Sequence, residues 1–420
     1  MKKRLAILLI LGFSATLWVA THAQANNNWP NWRGPSFNGV ADAGTYPTEW
    51  TQDKNVKWKI ELPAFGSSTP AVWGDKIFVT SPRGEENVIF CFDLKGDKQW
   101  EAKIGNQRAG KHKMGSGSNP SPVTDGKHLW VYFKSGDFGC LDFDGKVVWS
   151  TNLQSEFGDD TLWWDLGTSP VLTEKHVVIA CMQDGPSYLA AFGKADGELA
   201  WKHDRTFEVP KENDQSYTTP IVTMRDGKEE IIVLGADVVT GHSAVDGKQT
   251  WKVGGLNPKN AGYWRSISSP VLDNGILYAP YARGKTITAI KIGGTGDQTK
   301  ESTLWVKDGI SIDVPTPTVK DGKLYICNDK GAIECIDQKS GDTVWKTELK
   351  KSRGKFYASP IIAGDHIYST REDGVTFVVN LKTKKVVSEN DLGAKTAASP
   401  VFVNGMALIR TAEALYCIGQ

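Results

Sequence analysis

The sequence predicts an all-β fold, an eight-bladed β-propeller of four-stranded antiparallel blades. Three observations carry that expectation. A proline, usually preceded by Ser or Thr, recurs at Pro70, Pro122, Pro170, Pro220, Pro270, Pro317, Pro360 and Pro400, at intervals of 40 to 52 residues, the range of propeller-blade repeats. Nearly every copy continues as short apolar alternations broken by turn pairs such as Asp125-Gly126, Asn274-Gly275 and Asp321-Gly322, which are hairpin signals. The eighth copy stops after three strands at Tyr416-Cys417-Ile418, while Asn55 to Leu62 alternates as a strand with no blade of its own. Pairing that early strand with the last hairpin closes the ring and leaves only short, protected sheet edges.

In chain order, residues 1–25 read as an export signal. Lys2, Lys3 and Arg4 precede an apolar run from Leu5 to Ala20, and Ala23-Gln24-Ala25 offers a small-x-small cleavage site. No later segment has the length or apolarity to cross a membrane as a helix. Residues 26–54 form a polar, aromatic-bearing lead-in, expected along the outside of the domain, and residues 55–420 form the propeller.

The blade unit is clearest from Thr316 to Trp345. Its second strand is Lys323 to Cys327, its third Ala332 to Ile336, and it finishes on Val344-Trp345. One such unit has too little area to bury a core, so the copies must stack. Trp58, Trp100, Trp149, Trp201, Trp251, Trp305 and Trp345 share the closing slot. That recurrence assigns them to packing between neighbouring blades, each indole N–H finding a backbone or loop acceptor.

Composition excludes several classes. With 49 Lys+Arg against 48 Asp+Glu the formal charge is +1, which gives no support for a nucleic-acid or anionic-membrane partner. The six cysteines fall at repeated strand slots that different blades would hold far apart, so they are expected as free, buried thiols rather than disulfides. No metal-ligand spacing is present, and no catalytic constellation can be picked out. The seven histidines are scattered over the leader and five blades.

The run from Cys335, CIDQKSGDTVW, with CFDLKGDKQW, CLDFDGKVVW and AVDGKQTW, resembles the tryptophan-docking repeat of the PQQ-like β-propellers, a superfamily of quinoprotein alcohol dehydrogenases and BamB-like envelope subunits. WPNWRGPSFNGV resembles the start of many exported proteins of that superfamily. The dehydrogenases hold their quinone with a vicinal cysteine disulfide, a stacking tryptophan and Ca²⁺. No adjacent cysteine pair occurs here. The resemblance therefore implies the fold, and implies a BamB-like role ahead of an enzymatic one.

The antiparallel meander places the interblade loops and the second-to-third turns on one face. Long loops there carry chemically varied groups, the usual location of function. Asp160, Trp164 and Asp165 lie in one, Trp264 and Arg265 in another, and Tyr357 in a third. Arg83, Lys134, Arg283, Arg371 and Arg410 recur near the second-to-third turns. From these, Asp160, Trp164, Asp165, Trp264, Arg265, Arg83, Arg283, Arg371 and Tyr357 form a candidate funnel for an anionic or polyhydroxyl ligand, with Trp164 and Trp264 as stacking surfaces. Arginine suits carboxylate or phosphate because its planar fork binds in two places. The competing reading is a solvated rim whose arginines pair with acids such as Glu85, Glu86, Asp373 and Glu413, pairs worth little in water.

The expected function is an exported, monomeric, non-catalytic scaffold in the periplasm or secreted, binding an envelope protein or small ligand without cofactor. The alternative is an oxidoreductase using PQQ with Ca²⁺ in an unorthodox site.

Overall fold

The computed structural model describes residues 28–281 and 283–419; the expected export signal lies outside them. Eight antiparallel sheets form eight blades. Blade 1 starts at Ala71–Trp73, blade 2 at Val123–Thr124, blade 3 at Val171–Leu172 and blade 4 at Ile221–Arg225. Blade 5 starts at Val271–Asp273, blade 6 at Thr318–Lys320, blade 7 at Ile361–Ala363 and blade 8 at Val401–Val403.

The ring closes as the orphan strand requires. Val56–Glu61 pairs antiparallel with Ala414–Ile418, with Trp58 opposite Cys417 and Lys59 opposite Tyr416. Blade 4 departs from four strands. The insertion after blade 5's third strand returns as Gly296–Asp297 and pairs in parallel with Trp251 and Lys252, covering an edge that the other blades leave open.

Second and third strands are buried throughout. In blade 6, Lys323–Cys327 and Ala332–Asp337 turn nearly every side chain into a core, whereas the outer strand Thr343–Glu348 alternates with solvent. The cores lie between blades, each sheet face packing on its neighbour.

Two hydrogen-bonded devices hold the blades in register. At the axis, the Ser or Thr before seven of the eight landmark prolines donates its backbone N–H to the corresponding hydroxyl of the next blade. The chain runs Thr69 to Ser121, Ser169, Thr219, Ser269, Thr316, Ser359 and Ser399, at 2.9 to 3.1 Å. Each such bond contributes about 1 kcal/mol.

At the girdle, tryptophans dock on the next blade's last turn. The indoles of Trp58, Trp100, Trp149, Trp201 and Trp305 donate to the carbonyls of Leu94, Phe143, Lys194, Ala244 and Gln338 at 2.9 to 3.3 Å. A glycine in that turn lies flat on each ring: a Cβ at Gly145 would come within 2.5 Å of Trp100, and one at Gly197 within 2.4 Å of Trp149. Trp251 is the exception, buried and donating to Glu230 of its own blade at 2.9 Å. Trp345 packs beside Tyr325, and the turn it faces carries Lys384, at φ 62°, where other copies have glycine.

All six cysteines are free. Burial pushes the thiols up, to about 12 for Cys91, Cys140, Cys181, Cys327 and Cys417 and to about 11 for Cys335. They behave as small apolar groups.

Only the second part of the lead-in lies along the outside, where the Thr48 carbonyl accepts from Ser388 and Asn390 of blade 7's outer strand; the first part does not. It crosses the axis at the end opposite the long loops and stitches four blades together. Trp29 pairs with Val72, Pro30 accepts from Thr124, Asn38 from Val319, and Ala41 donates to Ile362. Trp29 and Trp50 are 0% and 2% exposed. Arg33 donates to the carbonyls of Pro317 at 2.6 Å and Pro360 at 3.2 Å and to Thr318 Oγ1 at 2.8 Å. Burial pulls this guanidinium down to about 9, so it stays charged at neutral pH. The physical reason is the axis itself. Converging first strands leave backbone carbonyls facing a channel, and buried carbonyls require donors.

Candidate functional site

The other end of the axis is open. A cavity of about 390 Å³ is lined by the Ser/Thr ring, by Trp32 of the lead-in as its floor, and by interblade loops and second-to-third turns. Long loops and varied side chains thus share the face that the meander assigns to them.

One loop crosses this mouth. Residues 107–115 leave blade 1 and hang on Asp165, whose carboxylate accepts from the backbone N–H groups of Lys111 and His112 at 2.8 to 2.9 Å. Asp165 also pairs with Lys134, which donates further to the Ala109 carbonyl at 2.7 Å. Both side chains are nearly inaccessible, at 4% and 1% exposure. An ion pair this deep needs such added hydrogen bonds to offset desolvation. Beyond the peg, His112 meets Trp164 and Tyr357 edge-on, with ring centroids 5.9 and 6.2 Å apart. Lys113 reaches Glu372 of blade 7 at 3.6 Å.

Five of the nine candidate residues line the cavity: Trp164, Asp165, Arg265, Arg283 and Tyr357. Arg265 stands 5.5 Å over the Trp164 ring and donates to buried Glu212 at 2.6 Å. Arg283 faces Asp313 at 3.7 Å. Asp329 receives the Asp313 backbone N–H at 2.8 Å, and burial raises its pKa above the ordinary carboxylate range.

The remaining four lie elsewhere. Arg83 reaches outward to Glu101 at 2.7 Å and Glu86 at 3.3 Å, because its strand, Lys76–Arg83, runs to eight residues and carries the side chain past the funnel. Arg371 is buried, donating to Asp373 and to the Lys350 carbonyl at 3.0 Å and lying over Phe377. Trp264 does not line the cavity; it is half-buried and packs edge-on against Tyr281 at 5.8 Å. Asp160 sits beside Arg108 at 3.7 Å, with its pKa raised by burial. The repeated turn cations therefore do not converge: Lys134 and Arg410 are also buried. The expected acid partners hold for Glu86 with Arg83 and Asp373 with Arg371.

Sequence reasoning passed over His112, Asp313, Asp329, Lys355 and Trp32, all in the lining. The blade register flags Asp329, in a second-to-third turn. Nothing local marks Trp32, which arrives from the lead-in.

The family model described as outer membrane protein assembly factor BamB matches residues 85–220, 213–390 and 329–417. The chain belongs to the BamB family of PQQ-like propellers. BamB of Yersinia pestis is 22% identical over 354 residues, covering 82% of this chain and 71% of that protein. BamB of Burkholderia pseudomallei (strain K96243) is 25% identical over 400 residues, covering 89% and 91%. Among solved structures, BamB from Moraxella catarrhalis aligns with TM-score 0.61 at 15% identity, covering 86% of this chain and 98% of its own. A europium-containing methanol dehydrogenase aligns with TM-score 0.73 at 10% identity, covering 94% and 99%. At such identities these structures share the fold.

Proposed function

We propose that this BamB-family propeller is an exported, monomeric, non-catalytic scaffold of the cell envelope, with the loop-bearing mouth as its binding face. The observation that carries this reading is that both arginines lining the cavity and two of its three carboxylates are already paired. Asp165 is taken by Lys134, Arg265 by Glu212 and Arg283 by Asp313. A proton-transfer or nucleophilic site needs a group left poised toward a substrate, whereas a binding face needs a rigid frame and a shaped surface. Trp163, Trp164 and Tyr263, each at least 40% exposed, supply such surface at the rim.

The cavity is also the place for a small anionic or polyhydroxyl ligand, against Trp164, Arg265, Arg283 and Tyr357. A quinone with Ca²⁺ fits these residues poorly. No vicinal cysteines exist, and the lining carboxylates are each engaged by a cation or by backbone and hydroxyl donors. Among the described residues no three acid, histidine or cysteine side chains converge as a metal set.

Photo-crosslinking in envelope preparations from a reactive residue at Trp163 or Tyr263, against one on the lead-in face at Thr45, tests the scaffold. A partner captured only from the mouth is expected. Reduction of a dye by alcohols or sugars after adding quinone and Ca²⁺ would overturn it.

A further inference from the structure

Charge is uneven around the mouth. On blades 6 to 8, Lys330, Lys351, Arg353, Lys355 and Lys395 are exposed. Among the described residues none has an ion-pair partner. Lys330 sits in the second-to-third turn of blade 6, the next three in the loop to blade 7, and Lys395 in the loop to blade 8.

Acids nearby are mostly spent. Glu372 faces Lys113, Asp373 faces Arg371 and Glu389 faces Lys350; Asp329 is engaged by Ser311 and the Asp313 backbone. Among the described residues, Asp391 and Glu413 are exposed acids without an ion-pair partner in the same sector. The opposite sector, around blades 2 to 4, is mixed, with Asp159, Asp184 and Glu208 exposed beside exposed Lys111, Lys211 and Lys259. Asp214 beside them is raised by burial and then by repulsion from Asp184 and Glu212.

The basic sector stands on a fixed platform. Lys355 and Glu372 are tied twice: the Glu372 N–H donates to the Lys355 carbonyl at 2.8 Å, and the Lys355 N–H to the Glu372 side-chain Oε1 at 3.1 Å. Phe356 pairs with Arg371 and is buried beneath the loop. Unpaired cations gathered on one sector attract an anionic partner, and pre-organisation of the loop spares part of the ordering entropy of binding.

We propose that this basic sector docks an acidic polypeptide segment of a partner protein. The inference rests on the scaffold reading and names the chemistry of its partner. A flat anionic bilayer fits less well, because it would press Asp159, Asp184 and Glu208 of the same face against like charge. The chain's own first 27 residues hold three cations and no acid, so they do not supply the segment.

Fluorescence anisotropy of labelled octaglutamate on the full chain tests it, using the triple variant K351E/R353E/K355E and, as control, D159K/D184K. Binding to the unaltered protein is expected, weakened by salt above about 0.15 M. A loss of at least about tenfold is expected in the triple variant, and less than about threefold change in the control. Lys395→Glu alone gives a second, smaller loss should the triple variant fold poorly. Equal binding by wild type and triple variant, no binding at all, or flotation with phosphatidylglycerol vesicles that the triple variant abolishes would each overturn the proposal. If mouth-specific crosslinking persists undiminished in the triple variant, the scaffold stands and this docking surface falls.

Discussion

The two ends of the propeller axis solve one problem by different means. At the sealed end, a segment from before the first blade lays Trp29 and Arg33 across the converging first strands, donating to carbonyls that would otherwise face an empty channel. At the open end, interblade loops stay apart, and a single strap pegged on Asp165 crosses a cavity of about 390 Å³. Sealing uses buried aromatics and backbone pairing, which give stability and no choice of ligand. The open end spends its polar groups on holding loops in place, leaving aromatic rings and unpaired lysines toward solvent. Stability should therefore be concentrated at one end and recognition at the other.

The sharpest way to break that contrast is Trp29→Ala. Removing a fully buried indole should cost about 3–5 kcal/mol, read as a lowered urea midpoint. A small loss would mean that the lead-in is dispensable. Next comes the mouth's one deep ion pair. Asp165→Ala strands the Lys134 charge and should cost about 3–5 kcal/mol. D165L/K134M should recover the part due to the stranded charge but not that of the freed Lys111 and His112 N–H groups, as measured by the same unfolding curves. If the double variant is no better than the single, the peg does more than neutralise Lys134.

A pH series probes the turns near the sealed end. His242 is buried, its ring nitrogens bonded to the Gly247 carbonyl and Thr240 Oγ1 at 2.9 Å. Burial, and then the Arg205 charge, hold it down at about 3. The unfolded chain thus binds a proton that the folded chain refuses between about pH 6.5 and 3. Stability from this group is full above pH 6.5 and falls as pH drops, by at most about 1.4 kcal/mol per pH unit. The slope between pH 7 and 5 should flatten in His242→Asn; an unchanged slope assigns it to other groups. The smallest effect is expected from Arg83→Ala, whose ion pairs lie at the surface. Its melting curve should overlay that of the parent, and so should ligand or partner binding at the mouth.

Much of the frame was legible because propeller blades repeat a local code. Asn274-Gly275 and Asp321-Gly322 announce hairpins whether or not their neighbours are known, with Asn274 and Asp321 at φ 48° and 51°. The Ser or Thr before each landmark proline was visible as a pattern, though its role, a hydroxyl accepting a neighbouring blade's N–H, exists only across the ring. Trp251 obeyed the spacing yet binds Glu230 of its own blade, because the inserted strand Gly296–Asp297 occupies its flank.

The candidate site was legible only to the level of a face. Loops Phe157 to Thr168 and Asn257 to Ser268 do open on the cavity, but Trp264 and Arg265 point to different sides of the same short segment. Equal offsets from the proline put Arg83 outside and Arg283 inside, since the two strands differ in length by two residues.

Period, turn chemistry and the unpaired strand at Val56 determined by themselves that eight sheets close into a ring, for these are near-neighbour rules that each blade satisfies alone. Which cation meets which acid, and that the lead-in dives across the axis, was decided by tertiary structure. Those contacts join residues hundreds of positions apart, such as Arg33 with Pro360. Their driving force is the need to satisfy charges and carbonyls that become buried only once the ring has formed.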